Sequence, residues 1–82
     1  MENNVRVYGN IHYADIAVGS VVLIGDYYDQ VAVGFVDEKK ETIDKKFIGV
    51  RFGFEKELVN VLIEENDPDG GIPMYQVLSV MR

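Results

Sequence analysis

The sequence predicts an all-β domain, a small antiparallel barrel of five to six strands. Short apolar stretches with alternating side chains recur along the 82 residues, and turn-forming residues separate them. No stretch shows the apolar spacing of a long packed helix. Short strands at this spacing are typical of barrels and sandwiches. A chain of this length is expected to form one domain, residues 1–82, with a thin core.

The clearest predicted strand runs from Phe47 to Phe54. Because successive side chains of a strand point to opposite faces, one of its faces is apolar and the other is nearly bare. The apolar face consists of Ile48, Val50, Phe52 and Phe54. The glycines of the other face either bend the strand, as in small barrels, or open a contact surface beside its one charge. That other face consists of Phe47, Gly49, Arg51 and Gly53.

Five further strands are predicted from the same alternation, over residues 5–8, 21–24, 31–36, 58–63 and 74–81. Residues 14–20 are predicted as a short turn that ends in Gly19, with a single helical turn over residues 14–18 as the alternative. Residues 37–46 hold eight charged side chains in ten and one large apolar residue, Ile43, so a long solvated loop is predicted there. Residues 64–71 are predicted as a turn because of Pro68 and Asp69-Gly70. The last strand is expected to pair with the first and to close the barrel.

This arrangement resembles the SH3-like and Sm-like barrels, which are the preferred interpretation. An OB-type barrel is the alternative, although such barrels usually carry a helix that the sequence does not show. A small sandwich is the other alternative.

The chain is acidic, with 14 Asp and Glu against 8 Lys and Arg, a net charge of −6. This deficit of basic residues disfavours binding to nucleic acids and to anionic membranes. There is no cysteine, which excludes disulfides and thiolate metal sites and favours a reducing, cytoplasmic setting. The first residues lack a signal-peptide pattern, and no apolar run is long enough to span a bilayer.

The strongest candidate binding site is the polar, aromatic segment between the second and third strands. Exposed tyrosines beside carboxylates suit a basic or proline-rich peptide. The lone arginine on the bare face of the 47–54 strand is added as a charged anchor. The predicted protein-binding residues are Tyr27, Tyr28, Asp26, Asp29 and Arg51.

Neither a catalytic site nor a metal site is predicted. His12 is the only histidine, and no nucleophile motif or ligand spacing accompanies it. Residues 64–72 partly match a calcium loop, but Gln76 stands where a bidentate Glu is needed, so an acidic turn is expected. We therefore expect no metal, no cofactor and no enzymatic activity.

The function predicted is a non-catalytic protein–protein binding or assembly module, which binds a protein partner or associates with itself. Two predicted strands, 21–24 and 58–63, are apolar on both faces, which leaves more large hydrophobic residues than one thin core hides. By analogy, short acidic chains of this kind resemble accessory proteins of phages or mobile elements. The alternatives are an acidic inhibitor that mimics DNA and a nucleotide-type ligand binder at an oligomer interface.

Overall fold

The structure of the protein is a computed structural model that describes residues 5–53, 56–66 and 69–81. Its strands form one six-stranded sheet in which every strand pairing is antiparallel. This confirms the predicted all-β class, the antiparallel pairing and the number of strands. The strands are β1 (Arg6–Val7), β2 (Val21–Asp26), β3 (Val31–Glu41), β4 (Lys45–Phe52), β5 (Val59–Glu65) and β6 (Tyr75–Met81).

The order of strands in the sheet is β1-β5-β4-β3-β2-β6. The predicted pairing of the first strand with the last is wrong, because β6 pairs with β2 and β1 pairs with β5. In the part of the chain that the structure describes, the two edges of the sheet are joined by an isolated bridge between Gly9 and Val77. One isolated bridge is not a strand pairing. The sheet is therefore not closed into a barrel, and the expected closure is wrong.

The core lies on one face of the curved sheet. Side chains that alternate along β2 to β6 point to this inner face, and the segment after a single 3-10 turn (Tyr13–Asp15) covers it with Ile16. The turn favours the helical alternative for this region, but it covers residues 13–15 and not 14–18. The core residues are Ile16, Val22, Ile24, Val36, Ile48, Val50, Phe52, Val61, Ile63 and Val77.

The predicted central strand largely matches β4. Ile48, Val50 and Phe52 are buried as expected, whereas Phe54 lies outside the described residues. A Cβ atom added to Gly49 would lie 2.6 Å from the Cγ atom of Glu38, so a side chain already covers that part of the bare face. Open space remains only at Gly53.

The predicted long loop over residues 37–46 is wrong. β3 continues to Glu41, β4 begins at Lys45, and only Thr42–Asp44 connect them. The connection is closed by the side chain of Thr42, whose Oγ1 atom accepts a hydrogen bond of 3.1 Å from the amide of Lys45. Backbone pairing continues through these charged residues, with Glu41 opposite Lys46. Exposed ion pairs accompany it, at 3.5 Å from Lys40 to Glu38 within β3 and at 3.9 Å from Lys46 to Glu41 across the strands.

The helical content of the described residues is limited to that 3-10 turn, and none of it is long and apolar enough to cross a membrane.

Candidate functional site

Strand β3 presents a row of apolar side chains to solvent. Val31, Val33 and Phe35 are 54%, 49% and 42% exposed, and they alternate with the inward-facing Ala32 and Gly34. The three outward side chains are large and apolar, whereas Ala32 and Gly34 on the inner side are small and the next inward residue, Val36, is buried in the core. A Cβ atom added to Gly34 would lie only 2.3 Å from Val50, so the inner side is already filled.

The neighbouring strands extend this row, and the polar Ser79 and Gln76 of β6 lie beside its apolar side chains. The β2–β3 register places Val21 opposite Phe35 and Leu23 opposite Val33. On β6, Met81 lies opposite Val21. Leu78 covers Gly25, since a Cβ atom added there would lie 2.9 Å from its Cδ1 atom. We call this set the outer apolar face: Val21, Leu23, Val31, Val33, Phe35, Leu78 and Met81.

Arg51 lies at one border of the outer apolar face, opposite Phe35 in the β3–β4 ladder. Its Nε atom is 3.0 Å from a carboxylate oxygen of Asp37, and its Nη2 atom donates a hydrogen bond of 3.3 Å to the other oxygen. Its charge is therefore neutralised within the sheet. A shallow depression lined by Phe35, Arg51, Phe52 and Gly53 opens beside this pair.

The β2–β3 turn, which holds four of the five predicted binding residues, lies at the other end of the outer apolar face. We call this turn, residues 26–30, the tip. Its residues differ in their roles. The carboxylate of Asp26 accepts hydrogen bonds of 2.9 Å from the amides of Tyr28 and Gln30, so it holds the turn. The hydroxyl of Tyr27 donates a hydrogen bond of 2.5 Å to the carbonyl of Ile72. Tyr28, at 80% exposed, and Asp29 are presented to solvent.

A second depression connects the tip to the outer apolar face. Asp29, Gln30, Val31 and Leu78 contribute to its walls. The structure thus brings the tip and Arg51 to opposite ends of one apolar surface rather than to one site. The predicted set omitted that surface, although the alternation of Val31, Val33 and Phe35 was visible in the sequence.

Two acidic residues predicted to lie in a turn are buried at the end of β5. Glu64 and Glu65 are 7% and 3% exposed. Glu64 accepts a hydrogen bond of 2.6 Å from the amide of Tyr13, and Glu65 accepts one from the hydroxyl of Tyr8. These carboxylates hold the segments that cover the sheet and are not displayed to a ligand.

His12 lies beside one of these carboxylates, with its Nδ1 atom 3.8 Å from Glu64. Over residues 5–53, 56–66 and 69–81, no group of three potential metal-binding side chains comes together. Asp67, which belongs to the partial calcium-loop match, lies outside the described residues.

The lysines of the β3–β4 hairpin surround a tyrosine. The ammonium groups of Lys39 and Lys46 lie 4.1 Å and 5.6 Å from the centre of the Tyr13 ring. Desolvation by burial, and secondly the carboxylate of Glu41, raise the pKa of Tyr13 above its ordinary value. The lysine charges in this part of the hairpin are therefore offset by neighbouring groups, and they do not form a basic patch.

Comparison of the chain with protein-family models, with curated proteins and with solved structures found no match. By its fold and its surface, the protein is a small all-β domain whose sheet has one buried face and one partly exposed apolar face.

Proposed function

We propose that the protein is a non-catalytic protein-binding module and that the outer apolar face is its binding surface. The observation that carries the proposal is the row Val31, Val33 and Phe35, three large apolar side chains each at least 42% exposed on one regular strand. Contiguous exposed apolar surface marks interaction sites, whereas isolated exposed hydrophobic residues do not. The cysteine-free composition supports a cytoplasmic setting for this binding.

The size of the face supports the same proposal. Complete burial of a Val, Leu or Phe side chain removes roughly 60–120 Å² from water. About half of that area is still exposed on five of the seven residues, and a smaller fraction on Val21 and Leu23, so the face offers roughly 200–400 Å². Such an area overlaps the roughly 300–600 Å² of the largest patch on a typical monomer, a patch that is often functional.

The borders of the face have the composition expected for the rim of an interface. Tyrosine and arginine are enriched at protein interfaces, and a polar rim surrounds their apolar centres. Here Tyr28 and Asp29 lie at one end of β3 and Arg51 lies at the other. The tip and Arg51, which were both predicted from the sequence, thus form the rim of the proposed binding surface.

The acidic-inhibitor alternative has less support. Mimicry of DNA requires carboxylates arranged together on an exposed face. Glu64 and Glu65 are buried, and Asp26 is engaged by the amides of its own turn. The nucleotide-binding alternative is weakened because Tyr8 is buried, so its ring is not presented to a ligand for stacking.

Site-specific photo-crosslinking tests the proposed function. A photoreactive amino acid is placed at Val33, in the middle of the outer apolar face, or at Ile43, which is 99% exposed at the hairpin tip. After irradiation of living cells, we expect a discrete crosslinked protein band from position 33 and none from position 43. The proposal fails if position 33 yields no crosslink, or if both positions yield the same bands.

We also propose that the strand order and connections are those of an SH3-like or Sm-like fold, with the sheet left open and not closed into a barrel. In support, β2 to β5 follow one another across the sheet, β6 returns to β2, and the Gly9–Val77 bridge brings the two edges together. An experimental structure in which the edges lie apart would contradict this assignment.

A further inference from the structure

We infer that a cavity at one end of the core binds the trimethylammonium group of a methylated lysine side chain in a partner protein. The cavity has a volume of about 100 Å³, and Asp26, Ala32, Phe52 and Tyr75 contribute to its walls. It lies on the core side of the sheet and shares only Val31 with the outer apolar face. The inference therefore goes beyond the proposed function and does not depend on it.

The pairing of β2 with β6 explains why a carboxylate and an aromatic ring meet in this cavity. Asp26, the last residue of β2, lies opposite Tyr75, the first residue of β6. Directly opposite residues of an antiparallel pair have their side chains on the same face, with Cβ atoms about 5 Å apart. Both residues are half-buried. The carboxylate and the phenol ring are therefore neighbours in the cavity wall.

The small side chain of Ala32 explains why the space exists. Ala32 points inward and packs against the core. At the next inward position, Gly34, the same space is filled by Val50 and by the ring of Phe52, whose Cε1 atom would lie 3.4 Å from an added Cβ atom. A methyl group at position 32 leaves room that two aromatic side chains border.

The carboxylate of Asp26 gives the cavity a negative charge. Its Oδ1 atom accepts the amides of Tyr28 and Gln30. None of the ion pairs found within the described residues includes Asp26, so Oδ2 is available to a cation. Aromatic rings attract cations as well, because the face of a ring carries partial negative charge. The net charge of −6 adds attraction at longer range.

The size and the apolar walls of the cavity select an alkylated ammonium group. A cavity of about 150 Å³ binds benzene, so one of about 100 Å³ takes about four heavy atoms. A trimethylammonium group matches this, with one nitrogen and three methyl carbons. An unmodified lysine would bring N–H donors against Ile24, Ala32 and Phe52, where they find no acceptor. Methylation replaces these donors by methyl groups and keeps the charge.

A lysine side chain is favoured over the choline headgroup of a lipid as the source of this group. In a lipid headgroup the trimethylammonium group is tethered to a phosphate. Asp29 is exposed in the same turn and the whole chain is acidic, so a phosphate would be repelled there. A lysine side chain carries no such anion.

An NMR titration of the purified, isotope-labelled chain tests this inference. The probe is trimethyllysine with both ends capped. Capped lysine and a neutral analogue, in which carbon replaces the side-chain nitrogen, are the matched controls. We expect shifts of the amide signals of Gln30, Ala32 and Tyr75 and a dissociation constant of about 1 mM for trimethyllysine. Both controls are expected to bind at least about fivefold more weakly.

Three variants assign the binding to the cavity. Asp26→Asn is expected to raise the dissociation constant about tenfold, because it removes the charge but keeps Oδ1 as the acceptor of the two amides. Asp29→Asn removes the same charge from the same turn outside the cavity and is expected to change the constant less than about twofold. Ala32→Val fills the cavity and is expected to abolish binding. Circular dichroism and the denaturation midpoint establish that each variant folds.

Absence of shifts up to about 20 mM trimethyllysine overturns the inference. So does equal binding of the neutral analogue, or an equal loss of binding in Asp26→Asn and Asp29→Asn. Tighter binding of phosphocholine than of trimethyllysine overturns the assignment to a lysine side chain. If trimethyllysine binds but position 33 yields no crosslink, the proposed function fails and this inference stands.

Discussion

Gly34 explains at the scale of a single residue why β3 has an apolar outer row. The alternation of this strand was visible in the sequence, but both sets of alternate residues are apolar. The inner side of Gly34 is filled by Val50, at 2.3 Å from where a Cβ atom would lie. At Gly34 there is no room inward for a larger side chain, and Val33 and Phe35 point to solvent, whereas Val36 on the inner side is buried in the core. A contact between positions 34 and 50 cannot be read from the local pattern that sets the two faces of a strand.

Glu64 and Glu65 were misassigned to a turn for a related reason. Acidic residues beside Asp, Pro and Gly are typical of turns, and adjacent buried carboxylates are rare. They extend β5 because distant groups satisfy them, namely the amide of Tyr13 and the hydroxyl of Tyr8. These partners lie 51 and 57 residues away in the chain. The prediction could not include them without the tertiary fold.

Gly9 joins the edges of the sheet, and its substitution tests that contact. Its φ is +84°, and a Cβ atom would lie 2.5 Å from the carbonyl oxygen of Val77. Gly19 has a similar φ of +94° but open space around it. Gly19→Ala is expected to lower the free energy of unfolding by about 1–2 kcal/mol through backbone strain alone. Gly9→Ala is expected to lower it by about 1–3 kcal/mol more, because the added methyl group meets backbone.

Urea denaturation of the two glycine variants and the wild type measures this difference. Equal losses in Gly9→Ala and Gly19→Ala would contradict the close approach of Gly9 to Val77. Since both variants share the strain of a positive φ, the difference between them isolates the contact that joins the sheet edges.

At the scale of the element, the β3–β4 hairpin shows where pattern reasoning fails. Residues 37–46 carry almost no apolar side chain, and a solvated loop was predicted. The backbone nevertheless continues as a ladder, with Lys40 opposite Phe47 and Glu41 opposite Lys46. The end of this hairpin is held by cross-strand backbone pairing, ion pairs and Thr42. Apolar periodicity reports burial, so it does not detect a strand that extends past the core.

The β2–β3 turn is the second element whose observed role differs from the predicted one. Asp26 was predicted to contact a partner, but its carboxylate accepts the amides of Tyr28 and Gln30. Asp26→Ala is expected to lower the free energy of unfolding by about 1–2 kcal/mol, because two amide donors lose their acceptor.

Asp29→Asn is the matched control for that variant. It removes the same charge from the same turn, and Asn tolerates the φ of 60° found at position 29. Its effect on unfolding is expected to stay within about 0.5 kcal/mol. Equal destabilisation of the two variants in guanidinium titrations would show that Asp26 does not hold the turn.

At the scale of the whole molecule, the predicted all-β class, the five to six strands and the described part of the apolar face of the 47–54 strand agree with the structure. Ile48, Val50 and Phe52 were placed correctly because a half-buried strand has a period of two. That the sheet stays open, and which strands its edge strands pair with, could not be predicted, because both depend on the long-range pairing of β1 with β5 and of β6 with β2. The surplus of hydrophobic residues noted in the sequence is accounted for in part by the outer apolar face.

Oxidative footprinting in living cells tests most directly whether protein covers that face. Hydroxyl radicals label exposed side chains, and the labelling of Phe35 and Met81 is compared with that of Ile43, in cells and in dilute purified protein. We expect labelling of Phe35 and Met81 to be several-fold lower in cells, with Ile43 labelled equally in both. Equal labelling of Phe35, Met81 and Ile43 in both settings would contradict the proposal that the outer apolar face is a binding surface.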